Sequence, residues 1–138
     1  QRFKAVSWDE AFDFIARRRV RWGNADAPFA YDHNFALNRR RVDADGLAFA
    51  ARLGAAKGDL AMDVWTTEPG IQFYSGGKLD TPIAGHGGQP YGRFAGLCLE
   101  TQRFPDAPNH PHFPSAVLRP GETYRHVTEY RFSITEGL

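Results

Sequence analysis

The chain has 138 residues, of which 42% are hydrophobic and 14% aromatic, and 17 basic against 16 acidic side chains give a formal charge of +1. This composition predicts one globular domain over residues 1–138 and excludes a disordered chain. The near-neutral balance argues against a nucleic-acid partner or an anionic membrane, because both normally require an excess of Lys and Arg. With no apolar run of about 20 residues and no signal-peptide core, the sequence predicts a soluble, cytoplasmic protein.

The N-terminal region has the features of a helix. Ser7 and Glu10 have the spacing of a capping box, and apolar side chains recur at helical intervals over 8–15. The basic run at 17–19 suits a helix C-terminus. Residue spacing alone therefore favours a helix from about residue 7 to residue 19, and we interpret the arginines as a solvated edge.

Further along, short segments alternate apolar and polar residues, which is the period of a strand with one wet face. Such segments are 47–53, 62–66, 71–75 and 128–134. In the last of these, Tyr130, Phe132 and Ile134 form the apolar face, so we expect that face to be buried. A turn is predicted between the second and third segments, at Glu68, Pro69 and Gly70. The residues thus predict an all-β domain.

The segment 105–114 carries a proline at every third position, which removes backbone donors and predicts a loop or an extended crossing. Phe104 and Phe113 at its ends are interpreted as anchors in the domain's own core. The alternative is an interaction module in which the prolines bind an aromatic groove on a partner.

Two carboxylates are candidates for chemistry. Glu100 alternates with leucines, and if it lies in a pocket it can act as an acid or base; the alternative is a surface glutamate. Asp32 and Asn34 share a face of their segment and fit either turn hydrogen bonding or a ligand site.

Other side chains give weaker signals. His110 and His112 have ligand-like spacing, but a metal site needs three or four donors, so we expect no metal. Cys98 is the single cysteine of the sequence, so an intrachain disulfide is excluded. Because it lies between Leu97 and Leu99, we expect it to be a buried apolar side chain.

Several longer motifs of the sequence resemble those of a known protein family. VWTTEPGIQFYSG (64–76) is followed by LCLETQ (97–102), FPDAPNH (104–110) and LRPGETY (118–124), and YDHNF (31–35) precedes them. In this order the motifs resemble the aldose 1-epimerase, or galactose mutarotase, family from residue 31 to residue 134. The sequence departs from the family pattern at Gly77, Lys78 and Arg103. At residues 12–14 the resemblance implies an extended chain, in conflict with the helical spacing, and we adopt the extended chain there and leave the rest of 7–19 open.

The resemblance implies an antiparallel β-sandwich of the galactose mutarotase type, of which this chain is the C-terminal part. By motif, Glu100 is the catalytic base that takes the proton of the anomeric hydroxyl, Asp32 holds sugar hydroxyls, and Gln72 is an amide in the same pocket. In the family the acid that protonates the ring oxygen is a histidine of the upstream part, and no histidine here corresponds to it. We therefore expect this chain alone to be inactive and its partner to be the upstream part of the same protein.

The resemblance also implies the substrate class, an aldohexose such as galactose or glucose. Interconversion of α and β anomers moves protons only, so no cofactor and no metal are expected. An aromatic side chain against the sugar is expected from Trp65, Phe73 or Tyr74, and the residues do not choose among them. The alternative function is a non-catalytic carbohydrate-binding module on the same fold that uses Asp32 and Gln72 without proton transfer.

Overall fold

The computed structural model describes residues 13–20, 23–24, 26–55 and 59–134. Over these ranges the chain forms eight β-strands and two short 3-10 turns, with no α-helix. The strands are β1 (Gly23–Asn24), β2 (Ala27–Pro28), β3 (Asp32–Ala36), β4 (Ala48–Gly54), β5 (Leu60–Thr66), β6 (Gly70–Tyr74), β7 (Cys98–Gln102) and β8 (Thr128–Ile134). The all-β prediction is confirmed.

The N-terminal helix that the spacing favours is not observed in the described residues. Its capping residues, Ser7 and Glu10, lie outside the described residues, and 13–20 form bends and irregular backbone rather than helix. Asp13 instead accepts a hydrogen bond from the Ile15 N–H on its carboxylate, at 3.0 Å. The helix that the spacing favours is therefore absent from the described part, where local side-chain hydrogen bonding competes with the helical pattern. Residues 13 and 14 are not helical, in line with the choice of the family pattern over the helix there.

The chain divides into two compact units: residues 1–32 with 74–98, and residues 33–73 with 99–138. We refer to them as unit 1 and unit 2. In unit 1, buried Tyr31 donates its backbone N–H to Ser75 Oγ at 2.9 Å and accepts the Ser75 N–H on its carbonyl at 3.0 Å. Gly76 follows with φ 75°, and a Cβ there would lie 2.4 Å from the Gly96 carbonyl oxygen, so this turn requires glycine.

Unit 2 contains the antiparallel sheet β4-β5-β8. β5 and β8 pair without interruption from Leu60 opposite Ile134 to Thr66 opposite Thr128. Between β4 and β5 the register shifts between Phe49 and Ala51, so a bulge interrupts the simple alternation expected over 47–53.

The core of this sheet is centred on Trp65, which is 5% exposed. The guanidinium groups of Arg41 and Arg131 lie 5.0 and 4.4 Å from its ring, and Phe49 meets it edge-on at 5.5 Å. Cation–π contacts of this kind stabilise a buried indole while the charged groups remain near solvent.

The second sheet has the order β3-β6-β7. Ile71 and Phe73 of β6 are buried, whereas Gln72 between them is half-buried. Because Ile71 and Phe73 lie on one face of β6 and Gln72 on the other, this sheet has one apolar, buried face and one polar face. The end residues Asp32, Tyr74 and Cys98 belong to unit 1, and the rest of the three strands belongs to unit 2.

The proline-rich segment 105–114 is a loop with a 3-10 turn at Ala107–Asn109, as predicted. Phe104 is buried, which confirms its interpretation as an anchor in the core, whereas Phe113 is half-buried and meets the Phe104 ring edge-on at 5.2 Å. Within the described ranges, no helix has the length and the apolar character needed to cross a membrane.

Two expectations about burial are wrong. Cys98 is exposed rather than buried, since it lies on the polar face of β7. In β8 the apolar side chains Tyr130, Phe132 and Ile134 are exposed, by 52, 65 and 69%. The strand was predicted correctly, but alternation defines two faces without saying which one is covered.

Candidate active site

The two faces of β7 have different surroundings in unit 2. Thr101 Oγ1 lies 2.5 Å from Thr128 Oγ1 of β8 and 2.9 Å from Nε2 of His126, so this face of β7 meets the β4-β5-β8 sheet. Because successive side chains of a strand point to opposite faces, Glu100 and Gln102 lie on the other face. That is the polar face of the β3-β6-β7 sheet.

Three amide side chains, one from each strand, meet on this polar face. The Gln102 Nε2 group donates one hydrogen bond to Gln72 Oε1 and another to Asn34 Oδ1, each 3.1 Å long. All three residues are half-buried and belong to unit 2. We call Asn34, Gln72 and Gln102 the amide row.

Glu100 lies two residues before Gln102 on the same face of β7 and is exposed. Among the described residues, no side-chain hydrogen bond or ion pair engages its carboxylate. A strand backbone fixes the position of the side chain, and an unpaired carboxylate is able to accept a proton from a ligand. The surroundings of Glu100 are therefore those of an available base rather than of a structural ion pair.

Asp32 is the exposed first residue of β3 and belongs to unit 1. It precedes Asn34 by two residues, so the two side chains lie on the same face of β3, as the alternation predicts. The structure thus brings Gln72 into contact with Gln102, places Glu100 beside Gln102 on β7, and leaves Asp32 in the other compact unit.

The sequence interpretation gave no role to Gln102 and kept Asn34 only as a polar neighbour of Asp32. A signal for both was present, because each lies two residues from a candidate carboxylate and therefore on its face of the strand. What the pattern did not contain is the bond between them, which joins residues 68 positions apart.

Arg103, one of the departures from the family pattern, has a structural partner. Its Nε lies 3.5 Å from Oε2 of Glu68, whose side chain is 1% exposed. This contact is an ion pair without hydrogen-bond geometry, since Glu68 Oε2 has no hydrogen-bond partner among the described residues. Partial burial, and then the neighbouring Glu68 carboxylate, raises the pKa of Tyr124. Arg103 thus anchors the chain directly after β7.

The three aromatic candidates for sugar stacking differ in exposure. Trp65 and Phe73 are buried, at 5 and 6%. Tyr74 is half-buried, and its hydroxyl oxygen accepts the backbone N–H of Lys78 at 3.1 Å. Burial leaves Tyr74 as the candidate whose ring is partly accessible.

The histidine pair is engaged in local packing. His110 Nε2 lies 3.1 Å from Asp106 Oδ2, and both histidine rings contact Phe113. Over the part of the chain that the structure describes, no group of three or more His, Cys, Asp or Glu residues is arranged to hold a metal ion.

Comparison with known proteins identifies the family. The family model for aldose 1-epimerase matches residues 2–131, which is nearly the whole chain. The chain belongs to the aldose 1-epimerase family. Galactose mutarotase from Mus musculus is 45% identical over 104 residues, and aldose 1-epimerase from Escherichia coli (strain K12) is 45% identical over 105 residues.

These matches cover 75 and 74% of the chain but 29% of each relative, so the chain spans less than a third of the length of these curated proteins. A crystal structure of a GalM/aldose epimerase homologue from C. elegans is similar, with a TM-score of 0.65 and 27% identity over 78% of this chain and 31% of that one. Fold and sequence agree on the antiparallel β architecture of the family.

Proposed function

We propose that these residues form the base and sugar-binding part of an aldose 1-epimerase, a mutarotase that interconverts the α and β anomers of an aldohexose such as galactose or glucose. The observation that carries this proposal is the unpaired carboxylate of Glu100 beside the amide row on one polar sheet face. The names of the family and of its relatives support the same reaction.

In the proposed reaction, Glu100 takes the proton of the hydroxyl on C1. The electron pair of that O–H bond forms the aldehyde C=O as the bond between C1 and the ring oxygen breaks, and a general acid protonates the ring oxygen. Rotation about C1–C2 and closure by the reverse steps yield either anomer. Protons are returned, so the reaction consumes no cofactor.

The other residues bind and orient the sugar. Gln72 lies on the face of Glu100 and carries an amide suited to hydroxyl groups, while Asp32 accepts hydrogen bonds from hydroxyls by the family motif. Tyr74 is our candidate for the aromatic side chain beside the sugar, because it is the accessible one of the three.

The acid is expected elsewhere. None of the five histidines matches the family's acid by motif, so we expect the 138-residue chain alone to leave the rate of mutarotation at that of buffer. Polarimetry of freshly dissolved α-galactose measures this rate directly. A rate well above buffer from the chain alone would mean that an acid lies within these residues.

The role of Glu100 is tested with Glu100→Gln in the natural protein that carries this sequence. The amide keeps the size of the side chain but cannot accept the proton, so we expect turnover of α-galactose to fall by about 100-fold or more while galactose binding changes little. Polarimetry gives turnover, and calorimetric titration gives affinity.

Glu122→Gln is the matched control, because Glu122 is an exposed turn residue outside the proposed site. Its turnover is expected to stay within about twofold of the unmodified protein, an effect below 1 kcal/mol. Retained turnover in Glu100→Gln would exclude Glu100 as the base. Sugar binding by a natural protein that shows no mutarotation at all would favour the carbohydrate-binding module instead.

A further inference from the structure

The carboxylate of Glu100 is placed by the backbone of β7. No side-chain hydrogen bond or ion pair holds it among the described residues, and β7 is an outer strand whose backbone pairs only with β6 in the part of the chain that the structure describes. The position of the carboxylate therefore depends on how firmly β7 is held beside it. Thr101 is the next residue, and its side chain lies on the opposite face of the strand.

Thr101 joins β7 to the start of β8 through a triangle of contacts. Its Oγ1 lies 2.5 Å from Oγ1 of Thr128 and 2.9 Å from Nε2 of His126, and that nitrogen lies 2.9 Å from Thr128 Oγ1. Each hydroxyl supplies one hydrogen, so the triangle can hold two hydrogen bonds in either tautomer of the imidazole. Any two sides of the triangle include Thr101, whichever group donates. We call Thr101, His126 and Thr128 the hydroxyl anchor.

The hydroxyl anchor is attached to a firmly paired part of the β4-β5-β8 sheet. Thr128 is the first residue of β8 and lies opposite Thr66 of β5, which is completely buried. The Oγ1 atoms of these two threonines are 3.4 Å apart, and Thr66 Oγ1 also donates to the Val127 carbonyl at 3.0 Å. These residues and Glu100 all belong to unit 2. Thr101 therefore ties β7 to a well-held point beside the proposed base.

We propose that Thr101 is a positioning residue for Glu100; this inference rests on the proposed function. The hydroxyl anchor fixes the β7 backbone at the residue directly after Glu100, and thereby sets where the carboxylate stands during proton transfer. Proton transfer requires close and aligned partners, and a displacement of about 1 Å can cost on the order of 100-fold in rate. Thr101 lies on the face of β7 away from Glu100, so its loss should lower kcat rather than raise KM.

The hydroxyl of Thr101 is tested in the natural protein that carries this sequence. Thr101→Val keeps the shape of the side chain but removes the hydroxyl, and we expect kcat for α-galactose to fall about tenfold while KM stays within about twofold. Thr101→Ser restores a hydroxyl and should keep kcat within about threefold of the unmodified protein. Equal losses of kcat in both variants, or a rise in KM without a loss of kcat, would overturn the proposal.

Removing the partners of Thr101 should have the same effect. The double variant Thr128→Val with His126→Phe leaves the Thr101 hydroxyl without either contact of the triangle. We expect its kcat to fall about as far as that of Thr101→Val, and the addition of Thr101→Val should then lower kcat by less than about twofold. A further tenfold loss would show that Thr101 acts independently of the hydroxyl anchor and would contradict the proposal.

Two control variants separate position from general stability. Thr123→Val changes an exposed threonine outside the hydroxyl anchor and should leave kcat within about twofold. Asp43→Asn removes an ion pair with Arg131 in the same unit without changing a residue of β7, and it should also leave kcat within about twofold at a temperature at which circular dichroism shows all variants folded. A loss of kcat in Asp43→Asn as large as in Thr101→Val would mean that stability, not position, governs the rate.

A measurement without sugar distinguishes failure of this inference from failure of the proposed function. Hydrogen exchange of the β7 backbone amides, followed by mass spectrometry, should be about tenfold faster in Thr101→Val than in the unmodified protein and nearly unchanged in Thr101→Ser. Unchanged exchange in Thr101→Val would mean that Thr101 does not hold β7. If exchange is faster but the unmodified protein shows no mutarotation, the anchoring of β7 stands and the enzymatic proposal fails.

Discussion

Two glutamates in the same unit show how packing assigns roles to identical side chains. Glu68, in the turn after β5, is buried and paired with Arg103, whereas Glu100 is exposed in the middle of β7 and has no side-chain partner among the described residues. Glu68 therefore holds two parts of the chain together, and its carboxylate is not accessible to a sugar. Burial alone would have selected Glu68, whose carboxylate is engaged by Arg103, in place of Glu100, the base that we propose.

Asp43 offers a test of electrostatics at a single residue. The hydrogen bond from Arg131 is the main reason that the pKa of Asp43 lies below its ordinary value of 3.8, and the backbone N–H groups of Leu47 and Asp45 add to it. A lowered pKa in the folded state means that the ion pair stabilises the fold above about pH 4 and that this stabilisation is lost as pH falls through the folded-state pKa.

We therefore expect Asp43→Asn to lower the free energy of unfolding near pH 6 and to match the unmodified chain more closely below about pH 3. Urea unfolding followed by tryptophan fluorescence at several pH values measures the difference. Asp45→Asn, which removes an exposed carboxylate that forms no ion pair among the described residues of the same turn, is the control and should lower the free energy of unfolding near pH 6 by less than Asp43→Asn does. Parallel pH curves for Asp43→Asn and the unmodified chain would contradict the assignment.

Among the elements, the turn between β5 and β6 is joined by hydrogen bonds to Val127, the residue directly before β8. Thr66 is completely buried; its Oγ1 donates to the Val127 carbonyl at 3.0 Å and accepts the backbone N–H of Glu68 at 3.1 Å. The Val127 N–H in turn donates to Thr67 Oγ1 at 3.1 Å. These bonds fix the point at which β5 ends, and thereby where β6 begins and presents Gln72.

Thr66→Val removes the hydroxyl with little change in shape. It leaves the Glu68 N–H and the Val127 carbonyl without this partner in a buried place, so we expect a loss of roughly 1–3 kcal/mol in the free energy of unfolding. Thr66→Ser keeps the hydroxyl and loses one methyl group, with an expected cost of about 1 kcal/mol. Chemical denaturation measures both; an equal or larger loss in Thr66→Ser would mean that packing, not hydrogen bonding, dominates.

On the scale of the whole molecule, the structure leaves the apolar face of β8 exposed to solvent in the part of the chain that it describes. Tyr130, Phe132 and Ile134 alternate along an outer strand of the β4-β5-β8 sheet and are each more than half exposed. An outer strand with an exposed apolar face favours pairing with another chain or segment. The chain spans only 29% of the curated relatives, whose longer sequences belong to the same family.

We expect the 138-residue chain to self-associate as its concentration rises, and Phe132→Lys to reduce this association. The charge interrupts the apolar face and costs little in the fold, because Phe132 is 65% exposed. Ser133→Lys, one residue along and also exposed, is the control and should retain the association. Sedimentation velocity over a concentration series measures it; a monomer at all concentrations would contradict this prediction.

The sequence by itself determined the strands at 62–66, 71–75 and 128–134 within one or two residues, the turn between the first two, and the shared faces of Asp32 with Asn34 and of Glu100 with Gln102. These properties depend on the period of a strand and on local turn chemistry, which neighbouring residues encode. Its motifs also identified the family, which the comparisons confirm.

Only the tertiary structure decided which faces are covered and which side chains meet. The exposure of Cys98 and of the apolar face of β8, the burial of Glu68, and the irregular backbone of 13–20 all differ from or go beyond the local pattern. The bonds of Gln102 join residues 30 and 68 positions apart. Such contacts depend on how distant strands pair, and the alternation within a single strand carries no information about its neighbours.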